Sequence, residues 1–239
     1  MLEVCVDTIE GARAAVKGGA GRIELCAALS EGGLTPSVGL MQAGADLPVP
    51  CYAMIRPRSG LFVFSEREVQ IMARDIDAAR SAGLAGVVLG VQTADTGELD
   101  VPVLTALTKT AAGLGTTLHR VIDVVPDPLM ALEQAIALGF DRILTSGAAP
   151  FAPDGIELIA RMIELSRGRI AIMPGCGLTP ENVGDVLRRT GAIEAHAACN
   201  RPVAGDPAFS DFDPPGGRYE TSNAEVRAMV AKIELALGT

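Results

Sequence analysis

"LEVCVDTIEGARAAVKGGAGRIELC", residues 2–26, decides how the rest of the chain is read. Two short apolar runs, 2–7 and 22–26, flank a stretch of helical character. A doubly wound open sheet would carry a glycine-rich phosphate turn after its first strand. "CVDTIEGARAA", 5–15, has no such fingerprint. The same strand-then-helix rhythm recurs along the chain. Further strand candidates lie at 50–56, 86–91, 116–122, 142–146, 169–174 and 193–198. Eight strands at roughly 25–30 residues per unit predict a (β/α)8 TIM barrel.

Helix signals punctuate the intervals. Thr35-Pro36, Asp127-Pro128 and Thr179-Pro180 each offer an N-cap side chain followed by a proline suited to the first helical turn. Ser65 and Glu68 have capping-box spacing. Gly18-Gly19, Gly83, Gly139 and Gly191 mark helix ends. No linker or composition break divides the chain, so residues 1–239 are expected to form a single barrel domain. Residues 200–222, "NRPVAGDPAFSDFDPPGGRYETS", break the rhythm and are expected to form a long loop over the barrel mouth. A closing helix is expected over 223–237, with Val226, Met229, Val230, Ile233 and Leu237 on one stripe.

Charge and cysteine usage exclude some partners. A formal charge of −9 and a pI near 4.8 argue against nucleic acid and acidic lipid. No uncharged stretch approaches the roughly eighteen residues that span a bilayer. Five scattered cysteines without a C-x-x-C pair, and a first strand in place of a signal peptide, predict reduced thiols in the cytoplasm. A homo-oligomer is compatible with all of this.

The strands carry unusual residues for a parallel barrel. Period-two alternation puts Glu3, Cys5 and Asp7 on one face of the first strand, and Glu24 and Cys26 on one face of the second. Met54, Arg56 and Arg58 follow on the third, His119 with Asp123 on the fifth, and Glu194 and His196 on the eighth. Charges turned outward under a helix layer would be costly, so these faces are expected to point inward and satisfy one another. Polar residues at the C-terminal ends of barrel strands are also where active sites form. A plug of paired charges is the structural alternative.

Two chemistries fit this constellation. Cys5 and Cys26, if in register, would stand about 5 Å apart across the ladder. Two thiolates are soft ligands that select Cu(I), although a buried cysteine is more often a small apolar filler. Met54 or His119 would complete the set. Alternatively, Arg56, Arg58 and the glycines of "IMPGCGLTPENV", Gly175 and Gly177, would hold an anion beside a helix starting at Thr179-Pro180. Ser146 and Gly147 would contribute from the sixth loop. Glu24 or Asp7 would then act as general base, with His119 or His196 as acid.

Several stretches together resemble one family. "LEVCVDTIEGARAAVKGGAGRIELCAALSEGGLTPSVGL", "MIRPRSGLFVFSE", "LHRVID", "DRILTSG" and "IMPGCGLTPENV" are similar, in order over about residues 2–200, to the CutC family of copper homeostasis proteins. The resemblance implies a (β/α)8 barrel, a cytoplasmic location and a role in copper binding. It implies Cys5 and Cys26 as the copper ligands. It maps the polar barrel mouth onto Glu3, Asp7, Glu24, Arg56, Arg58, His119, Arg120, Asp123 and His196. Cys176, the "LHRVID" form of the fifth motif and "HAAC" after the eighth strand depart from the family pattern. Cu(I) binding through the barrel cysteines is therefore the first expectation. A barrel enzyme acting on a small phosphorylated or carboxylated metabolite is the second.

Overall fold

A computed structural model describes residues 1–204, 208 and 217–238. Its strands are β1 (Leu2–Val6), β2 (Arg22–Leu25), β3 (Cys51–Met54), β4 (Gly86–Leu89), β5 (Gly115–Leu118), β6 (Arg142–Thr145), β7 (Ala171–Pro174) and β8 (Ala195–Ala197). Between them run α1 (Ile9–Gly18), α2 (Val38–Ala45), α3 (Glu66–Ala82), α4 (Val101–Thr110), α5 (Pro128–Ala137), α6 (Ile156–Ser166) and α7 (Val183–Thr190). The eight strands form one parallel sheet in the order β7-β6-β5-β4-β3-β2-β1-β8. A parallel bridge between Gly175 and His196 completes the ring. The chain is the (β/α)8 barrel that its rhythm predicts.

The apolar core lies between strands and helices. Val4, Ile23, Ala53 and Val87 face outward from the ring against residues such as Ala15, Met72, Ile76 and Leu104. Full burial of each larger aliphatic side chain is worth about 1.5–3 kcal/mol. The alternate strand positions are left for the barrel interior, which holds the polar residues.

Local signals account for most helix ends. Ser65 and Glu68 form the capping box of α3, and Asp127 caps α5 by accepting from the N–H groups of Leu129 and Met130. Two starts differ from expectation. Thr35 does not cap α2, because its hydroxyl accepts from the N–H of Arg56, two residues past β3. Ser37 caps that helix instead. Thr179-Pro180 begins a turn closed by Asn182, whose side chain accepts from the N–H of Thr179, and α7 starts only at Val183.

The expected long loop is partly ordered as strand. β9 (Asn200–Val203) and β10 (Arg218–Thr221) pair antiparallel, Asn200 opposite Thr221. Residues 205–207 and 209–216 of that stretch lie outside the described residues. α8 (Asn223–Leu237) follows, capped by Ser222, and buries Val226, Met229 and Ile233. No helix among the described residues is long and apolar enough to cross a membrane.

Candidate functional site

The interior side chains stack in levels set by the strand register. At the N-terminal floor, Glu3 of β1 lies beside Arg22 of β2 and His196 of β8. Arg22 pairs with Glu3 and, at 2.6 Å, with Glu194; Arg142 reaches Glu194 at 3.2 Å. Both guanidinium groups lie over the Tyr52 ring, at 5.5 and 5.3 Å. Tyr52 fits only because β4 and β5 begin with glycine. A Cβ at Gly86 or Gly115 would come within 2.4 or 2.0 Å of it.

One level higher, Cys5 stands opposite Glu24. Cys26 is therefore one interior step above Cys5, and the two thiols do not share a rung. A register shift of two keeps every side chain on its face, so alternation alone could not fix this. The Cys26 sulfur donates to Glu24 Oε2 at 3.5 Å and is fully buried beneath Gly33 and Met54. Burial, with the nearby Glu24 and Cys5 charges, pushes its thiol well above the usual value. Among the described residues, the cluster of three or more Cys, His, Asp or Glu donors able to hold a metal is Cys5, Glu24 and His196, within 4.8 Å of one another. That set has one thiol where the Cu(I) expectation has two.

A cavity of about 600 Å³ opens above this level. Cys5, Glu24 and His196 line it from the strands, Arg56 and His119 from just past β3 and β5, and Arg120 and the 176–181 turn from the loops. Glu225 and Met229 of α8 also reach it. Cys176 and Cys199, after β7 and β8, both adopt left-handed backbone, at φ 76° and 46°. Such strain in a non-glycine residue tends to collect at functional loops.

The two histidines are opposites. His119 follows β5, and its Nδ1 accepts from the N–H of Val121, which starts the short 3-10 helix Arg120–Asp123. That bond ends the fifth strand earlier than expected. Burial and the Arg56 charge lower its pKa to about 3. The ring is thus neutral, with its proton on Nε2, and that atom is buried without a partner among the described residues. Gly90 makes room for it, since a Cβ there would come within 2.6 Å of the ring. His196 instead sets Nδ1 2.8 Å from Glu3 Oε1 and Nε2 3.8 Å from Glu24 Oε2. Burial disfavours its charge, but Cys5 and Glu24, with hydrogen bonds to Cys5 and Glu3, raise it well above the usual imidazole value.

The carboxylates divide in the same way. Burial would raise Glu3, but hydrogen bonding to His196 and the His196 and Arg22 charges outweigh it and hold Glu3 at about 2. For Glu24, burial dominates and the pKa is raised. Among the described residues its Oε1 has no partner, and neither does Arg56 Nε. The rest of the Arg56 guanidinium donates to the carbonyls of Glu31, Gly33 and Gly60. Arg56 also stacks on Phe62, which packs against His119.

Other expected site residues lie elsewhere. Asp7 is exposed and accepts from the N–H of Leu29. Arg58 pairs with Glu68 and holds the carbonyls of Ser59, Leu61 and Val63, away from the cavity. Both follow the face alternation but lie past their strand ends, where loops turn them aside. Gly177 lines the cavity. Gly175 instead lets the ring close, because a Cβ there would meet Leu144 at 2.5 Å and His196 at 3.2 Å. Ser146 and Thr145 serve Asp123, which accepts from both hydroxyls. Arg22 was legible from its alternation with Glu24. Glu225 and Met229 carried no signal, since only tertiary packing brings α8 to the mouth.

The model of the CutC family matches residues 1–201. A CutC family protein of Rhizobium meliloti is 52% identical over 236 residues, covering 98% of this chain and 96% of that protein. The crystal structure of a CutC protein from Streptococcus agalactiae, proposed to act in copper homeostasis, superposes with TM-score 0.79 at 32% identity, covering 83% of this chain and 98% of that one. A thiamine phosphate pyrophosphorylase from Pyrococcus furiosus shares the fold at TM-score 0.65 and 16% identity, over 99% and 96% of the chains.

Proposed function

The chain belongs to the CutC family, and from that premise we propose that it is a barrel enzyme acting on a small anionic metabolite by acid–base chemistry. One observation carries this reading. Glu24 and His119 line one cavity, and each carries a buried atom, Oε1 and Nε2, without a partner among the described residues. A buried polar atom without a partner costs about 1–3 kcal/mol, so a ligand that pairs both recovers that loss on binding. Their environments push them apart, Glu24 up and His119 down. That separation assigns roles. Glu24 takes and returns the proton. His119, too weakly basic to act as the acid expected from sequence, donates Nε2–H to an oxygen that gains negative charge. The Arg56 Nε and the Arg120 side chain supply positive charge to an anionic substituent. The three lysines, Lys17, Lys109 and Lys232, lie on α1, α4 and α8 and none lines the cavity. Imine chemistry has no amine there.

A thermal-shift screen of phosphorylated and carboxylated metabolites tests the proposal. At least one is expected to raise Tm, with the shift lost in Glu24→Gln and in His119→Gln. A screen in which no anion stabilises the protein would remove the reading.

Copper binding is the second reading, supported by the closeness of the Cys5, Glu24 and His196 donors. The mixed set suits Cu(I) less well than paired thiolates. Under reducing conditions, Cys5→Ser should lose Cu(I) to a competing chelator more readily than wild type. Equal retention by both proteins would discard this site.

A further inference from the structure

We propose that Cys5 is a covalent nucleophile of this cavity, with His196 as its base and Glu3 as the residue that positions His196. The proposal goes beyond acid–base work by Glu24 and His119, and shares with it the cavity and the His119 Nε2–H donor. Three features of the ring carry it. First, the β1–β8 register sets Glu3 beside His196, and Cys5 follows Glu3 on the same interior face. Second, Glu3 Oε1 holds His196 Nδ1 at 2.8 Å. The Nδ1 proton is committed to Glu3, and Nε2 is turned towards the level of Cys5 and Glu24, where the three donors lie within 4.8 Å. Third, Glu3 cannot swing away, because its other oxygen is paired to Arg22, itself held by Glu194. A nucleophile, a base within reach and a buried group orienting the base form the general arrangement of an activated thiol.

The other cysteines lack one part or another. Cys199 also lines the cavity, but burial pushes its thiol up to about 12. Cys26 is sealed from the cavity, and Cys51 belongs to the core between strands and helices. Cys176 lines the same cavity and is more exposed than Cys5, but its sulfur sits on the carbonyl of Pro150 at 3.3 Å. Cys5 shares its cavity with the two unpartnered atoms, Glu24 Oε1 and His119 Nε2.

The ligand class that fits is a small aldehyde or ketone bearing an anionic group. His196 Nε2 holds the proton that the Cys5 thiol gives up, and sulfur bonds to the carbonyl carbon. The carbonyl π pair moves onto oxygen, which accepts a hydrogen bond from His119 Nε2–H. His196 then returns the proton to that oxygen, giving a neutral thiohemiacetal. Nothing is oxidised, and no leaving group or co-substrate is consumed.

Native alkylation with iodoacetamide, mapped by mass spectrometry, tests this without turnover. Cys5 should be modified about tenfold or more faster than the more exposed Cys176. In His196→Asn, with folding checked by circular dichroism, Cys5 should fall to the Cys176 rate or below. Glu3→Gln should slow it less, since the base remains but loses its orientation. Access alone predicts the reverse order, so Cys176 equal to or ahead of Cys5 in the wild type would overturn the proposal. An unchanged Cys5 rate in folded His196→Asn would overturn it too. If that variant does not fold, the wild-type ratio decides. Because no substrate is needed, labelling can fail while the metabolite screen succeeds, or the reverse.

Discussion

The floor and the mouth of the barrel interior are both polar, yet they differ in how their charges are paired. At the floor, Glu3 is shared between Arg22 and His196, and Glu194 between Arg22 and Arg142. At the mouth, Glu24, Arg56 and His119 each leave a buried atom without a partner among the described residues. The division has exceptions, since Arg142 Nη1 and Thr117 Oγ1 at the lower levels are also unpartnered. Even so, a paired network fixes geometry, whereas a partly paired one beside a 600 Å³ cavity is poised for a ligand. Function is therefore read from pairing, and polarity alone does not separate the two ends.

The largest expected effect breaks the floor. Arg22→Ala would leave Glu3 and Glu194 buried beside fewer cations. Removing one partner of a buried pair costs about 3–5 kcal/mol. Urea unfolding should show that loss, and a change under 1 kcal/mol would mean that the floor is not a structural plug.

A smaller effect separates the two histidines by pH. His119 has its pKa lowered from 6.5 to about 3. Below pH 6.5 the unfolded chain takes up a proton there that the folded protein refuses. Stability from His119 is therefore complete above 6.5 and is lost as pH falls towards 3. Glu3, lowered from 4.5 to about 2, is ionised in both states above 4.5. His196, raised above 6.5, is protonated in both states below it. Glu24, raised from 4.5, slopes the opposite way but is present in both proteins being compared. Between pH 4.5 and 6.5, wild type should gain stability relative to His119→Gln by on the order of 2 kcal/mol. Parallel stability curves over that window would refute a neutral buried His119.

The sequence carried the ring but not its vertical registration. All eight strands are where apolar runs predict them, because inward polar residues at period two still leave an unbroken apolar outer face. Register is less local. Cys5 could stand opposite Glu24 or Cys26 without any side chain changing face, and the choice moves one thiol out of the donor cluster. Past a strand end alternation holds only where the loop lets it: Arg56 and His119 still line the mouth, whereas loops turn Asp7 and Arg58 aside. The pairing of Glu3 with His196 spans 193 residues and depends on closure of the ring.

Glu24→Gln gives the smallest change in stability and the most direct comparison with the floor. Burial already raises the Glu24 pKa, so its ionised form is the one the protein resists. A neutral amide of the same shape removes that desolvation cost. It also weakens attraction to His196, whose Nε2 lies 3.8 Å from Glu24 Oε2. The two effects oppose, and the net change in unfolding free energy should stay within about 1 kcal/mol of wild type. Arg22→Ala, one level below, should cost several times more. Ligand-induced stabilisation should respond in the opposite order, vanishing in Glu24→Gln because an amide cannot take up a proton and its donor faces an atom that expects an acceptor. If Glu24→Gln instead unfolds as readily as Arg22→Ala, the mouth is as structural as the floor and the distinction between them fails.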